Sequence, residues 1–384
     1  MDSESYRVTL AAAETPARVL VAPDKFKGTL SSEQAARAIV RGLRRAWPRA
    51  KFTQQSIADG GEGFARNLVT ATRGIRYRWR SEDAAGRVCS AHWGMLGDGR
   101  TAVIDLASAS GVAQLPQTLR DPLRTSTYGS GQVMRRAIAR GARTLIIGLG
   151  GSATNDGGVG LAQAFGYRFL TADGNDIPRG GGGLRSLAKI IAPPDLPQVR
   201  IIVATDVDNP LYGKRGAAWQ FAAQKGADVT AIIELDRGLR QLAAVARRSR
   251  NGDFTRTPGA GAAGGCGFGL LTFFNATQRA GFDVLCDYVD LDNLVGNSDL
   301  LITGEGTFDR TSLAGKAPCR LAALAQQLGV PVWGIFGRIE LAARNLPFDR
   351  SCAVLDKNDA FDPDADHATA LAEAAFRLAR NIHP

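Results

Sequence analysis

At 384 residues the chain is too long for one ordinary core, so two domains are expected. Apolar residues make up 45% and charged residues 22%, which excludes a disordered chain. The formal charge of +10 favours anionic partners, nucleic acid or acidic metabolites, yet the arginines are dispersed over helix faces such as "RGLRRAW" and "AVARRSR", where they read as solvated surface, and with no basic stripe or nucleic-acid motif no nucleic-acid partner is expected.

The opening unit alternates strand and helix. "RVLVAPD" reads as a strand, and "SSEQAARAIVRGLRRAW" as a Ser-capped helix with Ala35, Ile39, Leu43 and Ala46 close to helical spacing. "FTQQSIADGGEG" gives a second strand ending in glycines, and "GFARNLVTATRG" a helix closed by Gly74. From about Tyr77 the texture changes to shorter strands, "YRWRSED", "VCSAHWGML" and "TAVIDLA". "TLIIGLGGSATNDGG" and "RIIVATDVDNPLYG" are each a buried-looking strand running into a polar loop, and "VTAIIELDRGLRQLAAVARR" is a long helix. After "GAGAAGGCGFGLL" the strand–helix rhythm returns with "SDLLITGEG", "APCRLAALAQQLG", "PVWGIFG", "SCAVLD" and a closing helix, "TALAEAAFRLARNI".

Strands alternating with helices imply parallel βαβ units. Two clean strands near the start and three near the end are expected to form one doubly wound sheet, with the middle inserted as a second α/β domain. The expected segments are 1–77 and 287–384 for the first domain and 78–286 for the inserted one.

The five cysteines are scattered and never form C-x-x-C, against a disulfide framework or zinc site. The start "MDSESYRVTLAAAETPAR" has neither a basic n-region nor a long apolar h-region, and no run reaches membrane-spanning length, so a cytoplasmic protein without a membrane partner is expected.

Ligands of doubly wound sheets bind beyond the carboxyl ends of the strands. The segments there carry Asp24, Lys25 and Lys27; Asp59 and Glu62; Gly150, Gly151, Ser152, Thr154, Asn155 and Asp156; Asp206, Asp208 and Asn209; Gln224 and Lys225; and Gly304, Glu305, Gly306 and Asp309. Phosphoryl transfer needs this mixture: cations and backbone N–H groups around phosphate oxygens, carboxylates for Mg²⁺, and one group to orient or deprotonate the attacking hydroxyl. The three histidines lie outside these loops, against histidine acid–base or metal catalysis, and "G-x-S-x-G" and a complete Walker sequence are absent. Only eight lysines occur, and Lys25, Lys27 and Lys225 fall in these loops, where a compact charge suits a moving phosphoryl group. "GAGAAG" fits the dinucleotide spacing G-x-G-x-x-G/A, but the polar "RSRNGDFTRTP" before it is not a strand, so a dinucleotide-dependent oxidoreductase is the weaker alternative. A non-catalytic regulator binding an anionic metabolite is the other.

In order, "APDKFKGTLSS", "ADGGEG", "GLGGSATNDGG", "TDVDNPLYG" with "AQKGA", "GAGAAGG" and "DLLITGEGTFD…S…GK" resemble the bacterial glycerate kinases that make 2-phosphoglycerate. The resemblance implies ATP- and Mg²⁺-dependent phosphorylation of D-glycerate on its 2-hydroxyl. It also implies a flavodoxin-like domain interrupted by a second α/β domain, with the active site in the cleft between them, and a homodimer is a further expectation. On that resemblance Asp206, Lys25 and Asp24 are the catalytic candidates, with Asp206 the first choice to orient or deprotonate the hydroxyl. Substrate or phosphate contacts fall to Lys27, Gly150, Gly151, Ser152, Asn155, Asp156, Asn209, Gln224 and Lys225. Nucleotide contacts fall to Gly304, Glu305, Gly306 and Asp309, and Mg²⁺ to Asp59 and Glu62. The chain departs from the family pattern at Phe64, Ala223, Thr307 and Arg338–Glu340; a compensating swap of cations and an altered acceptor are the two readings of the changes at Thr307 and Arg338.

Overall fold

The computed structural model describes residues 15–26, 28–57, 61, 63–249, 252–313, 315–342, 346–356, 359–360 and 362–380. Its strands are β1 (Arg18–Val21), β2 (Lys51–Gln54), β3 (Ile75–Glu82), β4 (Val88–Met95), β5 (Thr101–Asp105), β6 (Thr144–Gly148), β7 (Arg168–Leu170) and β8 (Lys189–Ile191). They continue with β9 (Arg200–Ala204), β10 (Thr277–Arg279), β11 (Leu300–Thr303), β12 (Thr307–Phe308), β13 (Val332–Phe336), β14 (Arg338–Ile339) and β15 (Arg350–Ala353).

The chain divides into two compact units, one from 1–57 with 290–384 and one from 58–289. The first unit holds a wholly parallel sheet in the order β15-β13-β11-β1-β2. Numbered within the unit, that order is the flavodoxin-like 2-1-3-4-5, whose ligand-binding switch point lies between the first and third strands, here β1 and β11. The five strands are the five legible at the two ends of the sequence.

Helix Ser32–Ala46 starts where Ser31 and Gln34 form a capping box, each side chain satisfying the other's backbone N–H. Its Ala35, Ile39 and Leu43 are buried with Val19, Val21, Ile302 and Ile335 of the sheet. Each buried Val, Ile or Leu side chain contributes about 1.5–3 kcal/mol. The closing helix His367–Ala379 packs against the same helix so closely that a Cβ on Gly42 would sit 1.9 Å from the Ala372 carbonyl oxygen.

The second unit holds a six-stranded sheet in the order β10-β9-β6-β5-β4-β3. The β10-β9-β6-β5 part is parallel, while β4 and β3 run antiparallel as a hairpin edge. β7 and β8 form a separate antiparallel ribbon, and β12 with β14 a parallel one in the first unit.

The first unit boundary falls at 57/58 rather than 77/78, because helix Phe64–Ala71 belongs with the second sheet. Its N–H groups at Gly63 and Ala65 donate to Asp105 at the end of β5, and Val69 packs where Gly94 leaves room on β4. The second boundary falls at 289/290 rather than 286/287, since helix Gly281–Tyr288 completes its last turn within the second unit. Among the described residues no helix is long and apolar enough to cross a membrane.

Candidate active site

The first unit brings its candidates to the switch point. Directly after β1, the Asp24 N–H donates to the Gly304 carbonyl at 2.8 Å, tying the "PDK" turn to the "TGEG" turn after β11. Thr303 Oγ1 donates to the Ala22 carbonyl, and Ser32 Oγ to that of Pro23, so the turn is held from both sides. Asp24 is buried and accepts the Lys25 N–H at 2.7 Å, while Lys25 is half-buried. Lys27, Asp59 and Glu62 lie outside the described residues.

Gly304 is required where it stands, for a Cβ there would lie 1.7 Å from the Ile335 carbonyl oxygen of β13. Glu305 follows it into a buried position. Its Oε2 accepts from Lys316 Nζ at 3.3 Å, and its Oε1 is buried with no partner. Burial raises the Glu305 pKa, with the Ser312 hydroxyl and Lys316 pulling against it. Asp309 sits at the start of helix Arg310–Leu313, where Oδ1 accepts from Thr311 Oγ1 at 2.6 Å and from the Thr311 and Ser312 N–H groups. Burial acts to raise the Asp309 pKa, but those bonds and Lys316 outweigh it, and the net shift is downward. Lys316 thus faces both carboxylates, lying 3.8 Å from Asp309.

Thr307 and Arg338, two of the positions that depart from the family pattern, are register partners across the β12–β14 ribbon. The arginine therefore stands beside the position where the pattern has one. Its Nη2 donates to the Asp359 carbonyl at 2.6 Å.

In the second unit, β6 delivers the glycine loop 149–158. Gly151, left-handed at φ +75°, lets the chain turn into a bridge that pairs Ser152 with Gly111, and Gly151 O and Ala153 N bond to Val112 and Ser110. The loop is then locked from beneath. Asp156 is fully buried and accepts from the Thr127 N–H and hydroxyl, both at 2.8 Å, and from Ser126 Oγ, Gly158 N and Gly160 N. Asp156 therefore corrects the sequence expectation: its carboxylate is spent on holding the loop, not presented to a substrate.

Lys225 requires the same correction. It comes from the turn Ala223–Lys225, is 3% exposed, and donates to Ser152 Oγ at 2.9 Å and to the Thr154 carbonyl at 2.7 Å. Burial lowers its pKa from 10.5 to about 8, against the opposing pull of Cys266 and Asp156. Gln224 beside it is exposed. Asn155 is also fully buried, and both polar atoms of its amide lack a partner, an exception to the rule that buried polar groups are satisfied. Gly150 is half-buried at the head of the loop.

After β9, Asp206 is exposed and accepts the Gly281 N–H at 3.1 Å. Asp208 pairs with Arg215, and Asn209 Nδ2 donates to the Arg215 carbonyl, so these two shape the loop after Asp206. The catalytic candidates thus fall in both units, Asp24 and Lys25 in the first and Asp206 in the second.

"GAGAAG", at 259–264, runs into helix Ala262–Phe274 and is preceded by turns over 255–258, not by a strand. Ala263, Gly264 and Gly265 are all left-handed, and the Gly264 carbonyl accepts the Gly157 N–H. The motif is a packing device that seats this helix against the glycine loop.

Sequence reasoning missed Asp105, Ser126 and Thr127. "TAVIDLA" ends a strand on an aspartate, the same signal used for the other loops, and it points to Asp105. "RTSTYG" reads only as a polar turn, and nothing in its pattern announces that two of its hydroxyls meet Asp156.

A wholly parallel sheet in one unit and a mixed sheet in the other, both ending in glycine turns and carboxylates at the carboxyl ends of their parallel strands, fit a kinase of small molecules. The glycerate kinase family model matches residues 19–383. The glycerate kinase of Bacillus subtilis (strain 168) is 44% identical over 325 residues, covering 84% of this chain and 85% of that protein. The glycerate 2-kinase of Escherichia coli (strain K12) is 41% identical over 326 residues, with 84% and 85% covered. A crystal structure assigned to a candidate glycerate kinase 2 from Salmonella typhimurium LT2 superposes with a TM-score of 0.80 at 38% identity, covering 95% of this chain and 96% of that one. The chain belongs to the glycerate kinase family.

Proposed function

We propose that this chain phosphorylates D-glycerate on its 2-hydroxyl with ATP, giving 2-phosphoglycerate and ADP, as a cytoplasmic enzyme. The observation that carries the reading is the pairing, at the flavodoxin-type switch point, of the "PDK" turn with the "TGEG" turn, one bearing Lys25 and the other a buried carboxylate beside Lys316. Switch points of such sheets bind nucleotides and phosphates.

In this reading Lys25 and Lys27 neutralise the transferring phosphoryl group, and Asp206 orients or deprotonates the acceptor hydroxyl, with Asp24 supporting Lys25. The turn at Gly304–Gly306 and Asp309 receives the nucleotide. Ser152, Gly150, Gly151 and Asn155 offer polar groups to the substrate, and Asn209 and Gln224 border it. Asp156 and Lys225 act one step back, by fixing the loop. Positioned donors that meet charge only as it develops lower a barrier without costing reorganisation.

Mg²⁺ in kinases is held by one or two carboxylates together with nucleotide phosphates. The buried, unpartnered Glu305 Oε1 fits a place in such a set, and Asp59 and Glu62 are the other candidates. When bound, the ion offsets negative charge between phosphate oxygens.

The test is ADP release from ATP and Mg²⁺, with and without D-glycerate. Release that depends on D-glycerate is expected, and Lys25→Ala should lower turnover about a hundredfold or more while leaving the thermal transition in place. Equal release without glycerate contradicts the reading. An unfolded Lys25→Ala protein makes that lysine structural.

A further inference from the structure

Lys316 stands where a lysine is out of place. It is the N-cap of helix Ala317–Gln327, with Pro318 at the second helical position. N-caps are ordinarily Ser, Thr, Asp or Asn, whose oxygen accepts a backbone N–H, and an ammonium has no acceptor to offer. The lysine makes no capping bond, and it adds a positive charge to the end of the helix where the dipole is already positive. An anion is the favoured neighbour of such an end.

Two carboxylates hold the charge there. Lys316 Nζ lies 3.3 Å from Glu305 Oε2, 3.3 Å from Ser312 Oγ and 3.8 Å from Asp309 Oδ1, so three oxygens converge on one cation. All three distances exceed the about 2.7–2.9 Å of close charge-assisted bonds. The ammonium is thus held loosely, on a side chain that is one-third exposed. The oxygens are fixed more firmly. Glu305 and Ser312 are buried, and Asp309 Oδ1 accepts from the Thr311 and Ser312 N–H groups. Glu305 Oε1 is buried with no partner, so the lysine answers only half of that carboxylate. One or two carboxylates with further oxygens, phosphate among them, are also what a hard divalent cation takes. All of these groups lie in the first unit.

We propose that Lys316 is an exchangeable counter-ion: without ligands it fills the cation place between Glu305 and Asp309, and once a divalent cation is there it turns to a nucleotide phosphate at the N-terminus of its own helix. The carboxylates then keep a cation and the helix end gains an anion, so each charge meets its opposite. A compact ammonium on a flexible four-carbon stem suits that move better than a guanidinium fork fixed to its partners. The proposal rests on the nucleotide assignment of the Gly304–Gly306 turn and Asp309, and glycerate plays no part in it.

The experiment is Mn²⁺ binding to the full chain, read from the EPR signal of free Mn²⁺, alone and with β,γ-methylene-ATP, without glycerate or turnover. Lys316→Met should bind Mn²⁺ alone about tenfold more tightly than wild type, because no ammonium competes for the carboxylates. It should bind the Mn²⁺–nucleotide complex about tenfold more weakly, because no ammonium meets the phosphates. Lys316→Gln should repeat both changes, and adding Glu305→Gln to Lys316→Met should abolish the gain for Mn²⁺ alone. A lysine that only braces the turn would not move the two affinities in opposite directions. Unchanged or weaker binding of Mn²⁺ alone in the Lys316 variants overturns the proposal, as does a gain that survives Glu305→Gln. Unchanged binding of the nucleotide complex overturns it too. The expected affinities in a chain that shows no glycerate-dependent ADP release would support this proposal while striking the acceptor assignment.

Discussion

Lys225 is the residue whose chemistry departs furthest from its sequence reading. A cation in a glycine-rich segment looks like a phosphate ligand, yet burial turns it into a strut for Ser152 and Thr154. The charged form is disfavoured in the fold, since its pKa falls from 10.5 to about 8. The cost is carried in full below about pH 8 and is relieved as pH rises toward the unfolded value, where the unfolded chain still holds the proton. Urea unfolding of wild type and Lys225→Met should therefore diverge: between about pH 7 and pH 10 the wild type gains about 2–3 kcal/mol on the variant. A constant difference across that range contradicts a buried, titrating lysine. Cys266 does not confuse the reading, because burial pushes its thiol well above the ordinary range. Glu305 supplies the complementary test. Lys316 opposes the upward pull of burial on its carboxyl, so Lys316→Met should move the acid limb of kcat/KM to higher pH. An unmoved limb removes Glu305 from the ionisations that activity reports.

At the scale of elements, close approach between backbones explains most of the glycines that matter. Gly304 brings the "TGEG" turn against β13, and Gly304→Ala should cost about 3 kcal/mol or more, because the Ile335 carbonyl cannot yield within a sheet. Gly42→Ala should loosen the closing helix, read as faster amide exchange over His367–Ala379 with the sheet strands still protected. The strands and the long helix Val229–Ser249 were legible because apolar runs and helical spacing report burial directly. The β7–β8 and β12–β14 ribbons were not, since strands of two or three residues have no period to read. Helix Tyr128–Ala139 was hidden by Gly129 and Gly131, which lower helix propensity but allow close packing, Gly129 against the Glu82 backbone and Gly131 against Leu161 and Ala164.

For the whole molecule, the doubly wound sheet split between the two ends of the chain was readable from strand count, while its order was implied only by the family resemblance. The loops that carry polar chemistry were readable too, because strand ends followed by Gly, Asp and Lys are visible in one dimension. Which of those polar groups face outward was not. Asp156 and Lys225 differ from Asp206 and Gln224 only by burial, and burial is decided by residues far away, such as Thr127 at one side of the loop and helix Ala262–Phe274 at the other. The register of Thr307 with Arg338 is likewise a property of the assembled ribbon. The account rests above all on where the phosphoryl group is placed. Phosphorus-31 NMR of the product formed from D-glycerate, ATP and Mg²⁺ reads this directly. The phosphorus should couple to the single methine proton of 2-phosphoglycerate; coupling to the two methylene protons of the 3-phosphate would contradict the account.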